Sequence, residues 1–227
     1  MQIFIDSADV EQIRRWVGFG VADGVTTNPS IMLKCGVRNV EQGARDIAEV
    51  IGSLPLSVEV TTNDHELMLR QARQIARWGP NLVVKIPVVN EDGEPSLGVI
   101  RSLESEGIAV NATACLSFGQ AMLAAKAGAT YVSLFWGRIG DEGNDASRVT
   151  RMTRDWLDDW KMSTKIIVGS IRGAHDVQLA AQAGAHIVTI PPELLAKLVD
   201  HRYSRETVRQ FVADAHRAAG AFGAVVG

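Results

Sequence analysis

The chain has 227 residues, 46% of them hydrophobic and 22% charged, and a formal net charge of -3. That balance argues against a nucleic-acid footprint or a polybasic membrane surface, so any anion-binding role has to be local, built from a few placed arginines. No uncharged apolar run approaches the roughly 20 residues of a membrane span.

The amino terminus runs straight into strand-like Gln2–Asp6 with no basic-then-apolar leader. Strands are then expected at Ile3–Ile5, Gly24–Thr26, Ser57–Val60, Leu82–Ile86, Ile108–Asn111, Tyr131–Phe135, Ile166–Val168 and Ile187–Ile190. Amphipathic helical stretches fall between them, at Asp64–Trp78, Ser117–Ala127, Ala146–Trp160 and Ala174–Ala183. Ser7, Thr62 and Ser117 stand where helices start, and Gly107, Gly128 and Gly184 where helices stop and reverse into a strand.

Alternation of this kind predicts a single (β/α)8 barrel over residues 1–227. The competing doubly wound open sheet asks for a glycine-rich phosphate loop after the first strand, and Asp6–Asp9 holds no glycine. A surplus helix from Ser204 to Ala219, with its tail to Gly227, carries Val208, Phe211 and Val212, followed by Phe222 and Val225. These apolar residues need a partner surface, on the barrel or on a neighbouring subunit. Cys35 and Cys115 have neither CxxC nor metal spacing and read as reduced core or near-core thiols, so a soluble cytoplasmic protein is expected.

Lys85 is the conspicuous residue, an amine inside the otherwise aliphatic strand Leu82–Ile86. A buried ammonium must find a partner or give up its proton, and a neutral amine attacks carbonyls. The bland alternative is a lysine that snorkels from the strand end or pairs with a core carboxylate. In a barrel, reactive groups collect at the carboxyl ends of the strands. Here those ends deliver Asp6, then Thr26, Thr27, Asn28, Pro29 and Ser30, then Glu59, Lys85, Asn111 and Thr113, then Ser133, Phe135 and Arg138, and finally Ser170 and Arg172. The eighth strand offers only Thr189 before two prolines. No histidine is among these residues, so Ser–His–Asp catalysis and histidine-based zinc sites lack their parts, and Asp6 with Glu59 makes a thin magnesium site. Lysine with carboxylates suggests Schiff-base chemistry on a carbonyl compound, and two arginines with a serine suggest a phosphate pocket, hence a phosphorylated sugar.

The segments Ile5–Asp9 (IDSAD), Gly24–Ser30 (GVTTNPS), Val83–Pro87 (VVKIP), Gly137–Ile139 (GRI) and Gly169–Arg172 (GSIR), with Gly220–Gly223 near the end, together resemble the short branch of the transaldolase family, which also contains fructose-6-phosphate aldolases. The resemblance implies that Lys85 forms a Schiff base with the C2 carbonyl of a ketose phosphate. Asp6 would be the acid/base at the carbon–carbon bond that breaks, and Glu59 with Thr113 would hold a proton-shuttling water. Asn28, Asn111 and Ser133 would position the dihydroxyacetone part, Arg138, Ser170 and Arg172 would take the phosphate, and Thr27, Ser30, Phe135 and Trp136 would complete the substrate site. The iminium is the electron sink, so no metal or organic cofactor is implied. The branch also implies a homo-oligomer, a pentamer or decamer.

Two positions divide that branch. The aldolases carry glutamine in place of Glu59 and tyrosine in place of Phe135; this chain follows the transaldolase pattern at both. Transfer of the three-carbon unit is therefore expected over its release as free dihydroxyacetone, and a sugar-phosphate-binding barrel without turnover is the reading from another class. Trp136 and the acidic loop Asn90–Ser96 depart from the usual pattern and leave the sugar open, so a specialised sugar-phosphate pathway stands beside the pentose phosphate pathway.

Overall fold

The computed structural model describes residues 1–218. Eight strands pair in parallel in chain order and close into a barrel: β1 (Gln2–Asp6), β2 (Gly24–Thr26), β3 (Leu56–Glu59), β4 (Leu82–Pro87), β5 (Val110–Cys115), β6 (Tyr131–Phe135), β7 (Lys165–Gly169) and β8 (Ile187–Ile190). Closure runs through β1 on β8, from Gln2 opposite Ile187 to Ile5 opposite Ile190. The helices around the strands are α1 (Val10–Gly18), α2 (Pro29–Lys34), α3 (Val40–Ile51), α4 (His65–Ile75), α5 (Leu97–Ser105), α6 (Phe118–Lys126), α7 (Trp136–Asp141), α8 (Ala146–Asp159) and α9 (Ala174–Gln182). This is the (β/α)8 barrel that the alternation predicts.

The barrel strands lie in one compact unit, Met1–Pro192, and the chain from Glu193 forms a second. The described part of the second unit holds α10 (Pro192–Val199) from its second residue on, and the extra carboxyl-terminal helix α11 (Arg202–Ala218), which begins two residues before the expected Ser204. Ala219, the 220–223 segment, Phe222 and Val225 lie outside the described residues. Among the described residues no helix is long and apolar enough to cross a membrane.

Local chemistry explains most of the element boundaries. β4 is buried from Leu82 to Ile86, as a parallel strand covered on both faces should be. Gly107, Gly128 and Gly184 all have positive φ, the left-handed step that ends a helix. Ser117 caps α6 as expected, with its side chain accepting from the Gln120 N–H. Carboxylates do that work elsewhere: Asp9, not Ser7, caps α1, and Asp64, not Thr62, caps α4. β5 is the strand that differs most from expectation. It begins at Val110 rather than Ile108 and continues to Cys115, through a register break between Ala112 and Cys115 and a positive φ of 58° at Ala114.

Between β1, β7 and β8, Phe4, Ile167 and Ile187 pack into a closed cluster with Tyr131 against it. Phe4 comes so near the next strand that a Cβ on Gly24 would lie 2.7 Å from its ring. Cys115 is buried as expected, whereas Cys35, at the end of α2, is exposed. A six-residue helix buries only Met32, which leaves its last turn in solvent.

Candidate active site

In the parallel register Glu59 of β3, Lys85 of β4 and Asn111 of β5 stand abreast. This places the amine between a carboxylate and an amide in one layer of the barrel. Lys85 has found its partner: Nζ lies 2.9 Å from Glu59 Oε2, with the two side chains 6% and 18% exposed. Nζ also donates to the Thr27 carbonyl at 2.8 Å. Thr27 is fixed for that contact because its own N–H and Oγ1 both donate to the Ser57 carbonyl at 2.9 Å. A buried charge with two well-placed acceptors is far cheaper than an isolated one.

Polar contacts continue on both sides. Asn111 Nδ2 donates to Ser57 Oγ at 3.3 Å, and Ser133 Oγ donates to Asn111 Oδ1 at 2.7 Å. Thr26 Oγ1 donates to Asp6 Oδ1 at 2.7 Å and lies 2.5 Å from Thr189 Oγ1. Asn28 caps α2 with Oδ1, which accepts from the Ile31 N–H at 2.9 Å, so its amide NH2 remains for other partners. Thr113 Oγ1 is buried and has no hydrogen-bond partner among the described residues.

A cavity of about 280 Å3 opens at this end of the barrel. Eight of the expected site residues line it: Asp6, Asn28, Ser30, Lys85, Ser133, Phe135, Arg138 and Ser170. Thr27, Glu59 and Asn111 stand behind this wall, bonded to Lys85 or Ser133. Trp136 is buried and is not on the wall. The loop Asn90–Ser96 folds on itself, with Asn90 Oδ1 accepting from the Asp92 and Glu94 N–H groups, and is not on the wall either.

Five residues of the wall were not among the expected site residues: Thr26, Ile31, Lys34, Gly169 and Thr189. Ile31 and Lys34 are one helical turn apart on α2, a spacing that would have found them had the short helix been foreseen.

The loop after β7 is stitched to α7. The Gly137 N–H donates to the Ser170 carbonyl at 3.1 Å, and Ser170 takes a φ of 58°. Arg138 Cζ sits 5.3 Å from the centroid of the Phe135 ring, a cation–π contact that aims the guanidinium. Asp141 pairs with Arg172 rather than with Arg138, and Arg172 itself is not on the cavity wall. Among the described residues there is no group of three His, Cys, Asp or Glu side chains that could hold a metal ion.

The sequence profile of the Transaldolase/Fructose-6-phosphate aldolase family matches residues 3–223. The chain belongs to that family. Among curated relatives, probable transaldolases of Herpetosiphon aurantiacus and Lactiplantibacillus plantarum are each 40% identical over 214 residues, covering 94% of this chain and 94% and 96% of theirs. One of an Anaeromyxobacter species is 41% identical over 94% of this chain and 97% of its own. Among solved structures, an N-acetylmannosamine-6-phosphate 2-epimerase from Clostridium perfringens superposes with a TM-score of 0.59 over 93% of both chains at 11% identity, which is likeness of fold alone. Within the transaldolase/fructose-6-phosphate aldolase family, the chain is an enzyme whose Lys85, Glu59 and Asp6 lie at one end of the barrel.

Proposed function

We propose that the protein is a Schiff-base transaldolase, moving a dihydroxyacetone unit from a ketose phosphate to an aldose acceptor. The observation that carries this reading is the buried Lys85 amine on the cavity wall, 2.9 Å from Glu59, with Asp6 on the same wall. A lysine required only for packing has no need of a cavity in front of it.

Lys85 Nζ passes a proton to Glu59 and attacks the C2 carbonyl, whose oxygen is protonated as the carbinolamine forms. Loss of water from C2 gives the iminium. The Thr113 hydroxyl, buried and unpartnered among the described residues, suits a water held between it and Glu59 for these transfers. Asp6 then takes the proton of the C4 hydroxyl while the C3–C4 bond breaks. The bonding electrons enter the iminium as an enamine, and an aldehyde leaves. The acceptor aldehyde runs the same steps in reverse. The Thr26 hydroxyl holds the Asp6 carboxylate in place for this exchange.

Asn28, Asn111 and Ser133 hold the three-carbon unit, with Thr27, Ser30, Phe135 and Trp136 shaping the site around it. Arg138, Ser170 and Arg172 receive the phosphate. Phe135 puts no hydroxyl beside the enamine, which supports transfer to an acceptor over protonation and release. On this reading the protein works on sugar phosphates in the cytoplasm, in pentose-phosphate or more specialised metabolism. The apolar Val208, Phe211 and Val212 of α11, at helical spacing, support a homo-oligomer.

The test is borohydride reduction in the presence of fructose 6-phosphate, then of sedoheptulose 7-phosphate, read by intact-protein mass. A dihydroxyacetone adduct is expected on the wild type and not on Lys85→Met, whose transfer rate should fall about a thousandfold or more. No adduct with either sugar, or transfer by Lys85→Met at the wild-type rate, would remove the proposal.

A further inference from the structure

The proposed reaction makes no use of Asp141, yet this residue is paired with Arg172, one of the two arginines proposed for the phosphate. It is the last residue of α7, one turn beyond Arg138. Both its carboxylate oxygens accept from the Arg172 guanidinium, Oδ1 from Nη1 at 2.5 Å and Oδ2 from Nη2. Arg172 reaches it by crossing the backbone of Gly137 so closely that a Cβ there would lie 2.6 Å from Nε and 3.0 Å from Cζ. The Asp141 carboxyl is held below the usual carboxylate range, first by its hydrogen bonds to Arg172 and further by the charges of Arg172 and Arg138. The carboxylate is thus bonded to Arg172, with Arg138 one turn earlier on the same helix.

We propose that Asp141 competes with the substrate's phosphate for Arg172 and so determines how tightly phosphorylated sugars are held and how readily they leave. The inference rests on the phosphate role given to Arg172 above. A phosphate that takes an end-on bidentate grip on Arg172 uses the Nη donors that Asp141 already holds. Asp141 must then give up those bonds or remain as a second anion beside the first. That cost falls on every phosphorylated ligand and on no uncharged one, so it changes discrimination rather than general activity. An exposed ion pair is worth little, so the effect is a few-fold one. If Asp141 instead served to aim Arg172 at the phosphate, removing its charge would weaken binding, and the two roles predict opposite signs.

The experiment is calorimetric titration of the full-length protein with inorganic phosphate, comparing wild type, Asp141→Asn and Asp141→Ala. The alanine variant serves if the asparagine variant fails to fold. Phosphate binding should tighten about three- to fivefold in the variants. KM for fructose 6-phosphate should fall in step, while KM for unphosphorylated fructose stays where it was. Phosphate binding that weakens or is unchanged would overturn the proposal. A protein that never forms a Lys85 adduct, yet binds phosphate more tightly once Asp141 is replaced, would refute the Schiff-base reading and leave this one standing.

Discussion

The N–H of Gly137 donates to the carbonyl of Ser170 at 3.1 Å, and the same approach leaves no room for a side chain at 137. A Cβ there would sit 2.6 Å from the Ser170 oxygen as well as from Arg172 Nε, and the oxygen is backbone that cannot swing aside. Gly137→Ala should therefore push α7 away from the loop after β7. We expect a loss of about 1–3 kcal/mol in urea unfolding, and a rise in KM for the phosphorylated donor that exceeds the fall in kcat. A variant with wild-type stability and KM would show that α7 and this loop are not tied as the geometry says.

His186 offers a pH test in the barrel itself. Its Nδ1 accepts from the Ile166 N–H at 3.0 Å, so the neutral ring is the bonded form. Burial, and secondarily the charge of Arg154, hold its pKa below the ordinary value of 6.5. As pH falls through that ordinary value the unfolded chain takes up the proton before the native one. Stability is therefore lost on acidification, and the loss is complete once the pH is below the folded pKa. The drop in urea midpoint between pH 7.5 and pH 5 should be larger for the wild type than for His186→Gln; equal drops would discard the assignment.

The two thiols should differ sharply. Burial pushes Cys115 up to about 12, so the native protein presents no thiolate there at pH 8. Cys35 is exposed. Ellman's reagent should titrate one thiol in the folded protein and two in denaturant, and Cys35→Ser should abolish the native reaction. Two equivalents from the folded state would mean that the β5 end opens to solvent.

Phe135 is the position at which to test transfer against release. Its ring lines the cavity and carries Arg138 against its face. A phenol there places an acid near the enamine carbon without removing the ring. Phe135→Tyr should raise the release of free dihydroxyacetone from fructose 6-phosphate by about tenfold, at the low end of what a positioned general acid contributes. Release that stays at the wild-type level would mean that the hydroxyl does not reach the reacting carbon.

Much of the barrel is legible in the sequence because a parallel strand covered on both faces is a dense aliphatic run. β2, β6 and β8 have the bounds such runs suggest. β5 was harder to read, since Ala112, Thr113 and Ala114 lack the β-branched density of its neighbours and a bulge interrupts the ladder. The candidate site divides along similar lines. Residues at the ends of well-marked strands, such as Asp6, Lys85 and Ser133, fall on one cavity wall. Lys34 escaped notice because α2 has six residues, too short for an apolar stripe to repeat. Thr189 was passed over because its relevance comes through Thr26, on a strand remote in sequence.

That last contact bears on how the protein comes into being. Thr26 and Thr189 are 163 positions apart, and β1, which carries Asp6, takes β8 as its neighbour. A ribosome delivers Asp6, Glu59 and Lys85 early, but the edge of β1 has nothing to pair with until Ile187–Ile190 has emerged. Chains truncated before that point carry every group assigned to the chemistry and still lack a closed wall to hold them. Activity should therefore appear abruptly with the final strand during synthesis, and not grow as the chain lengthens.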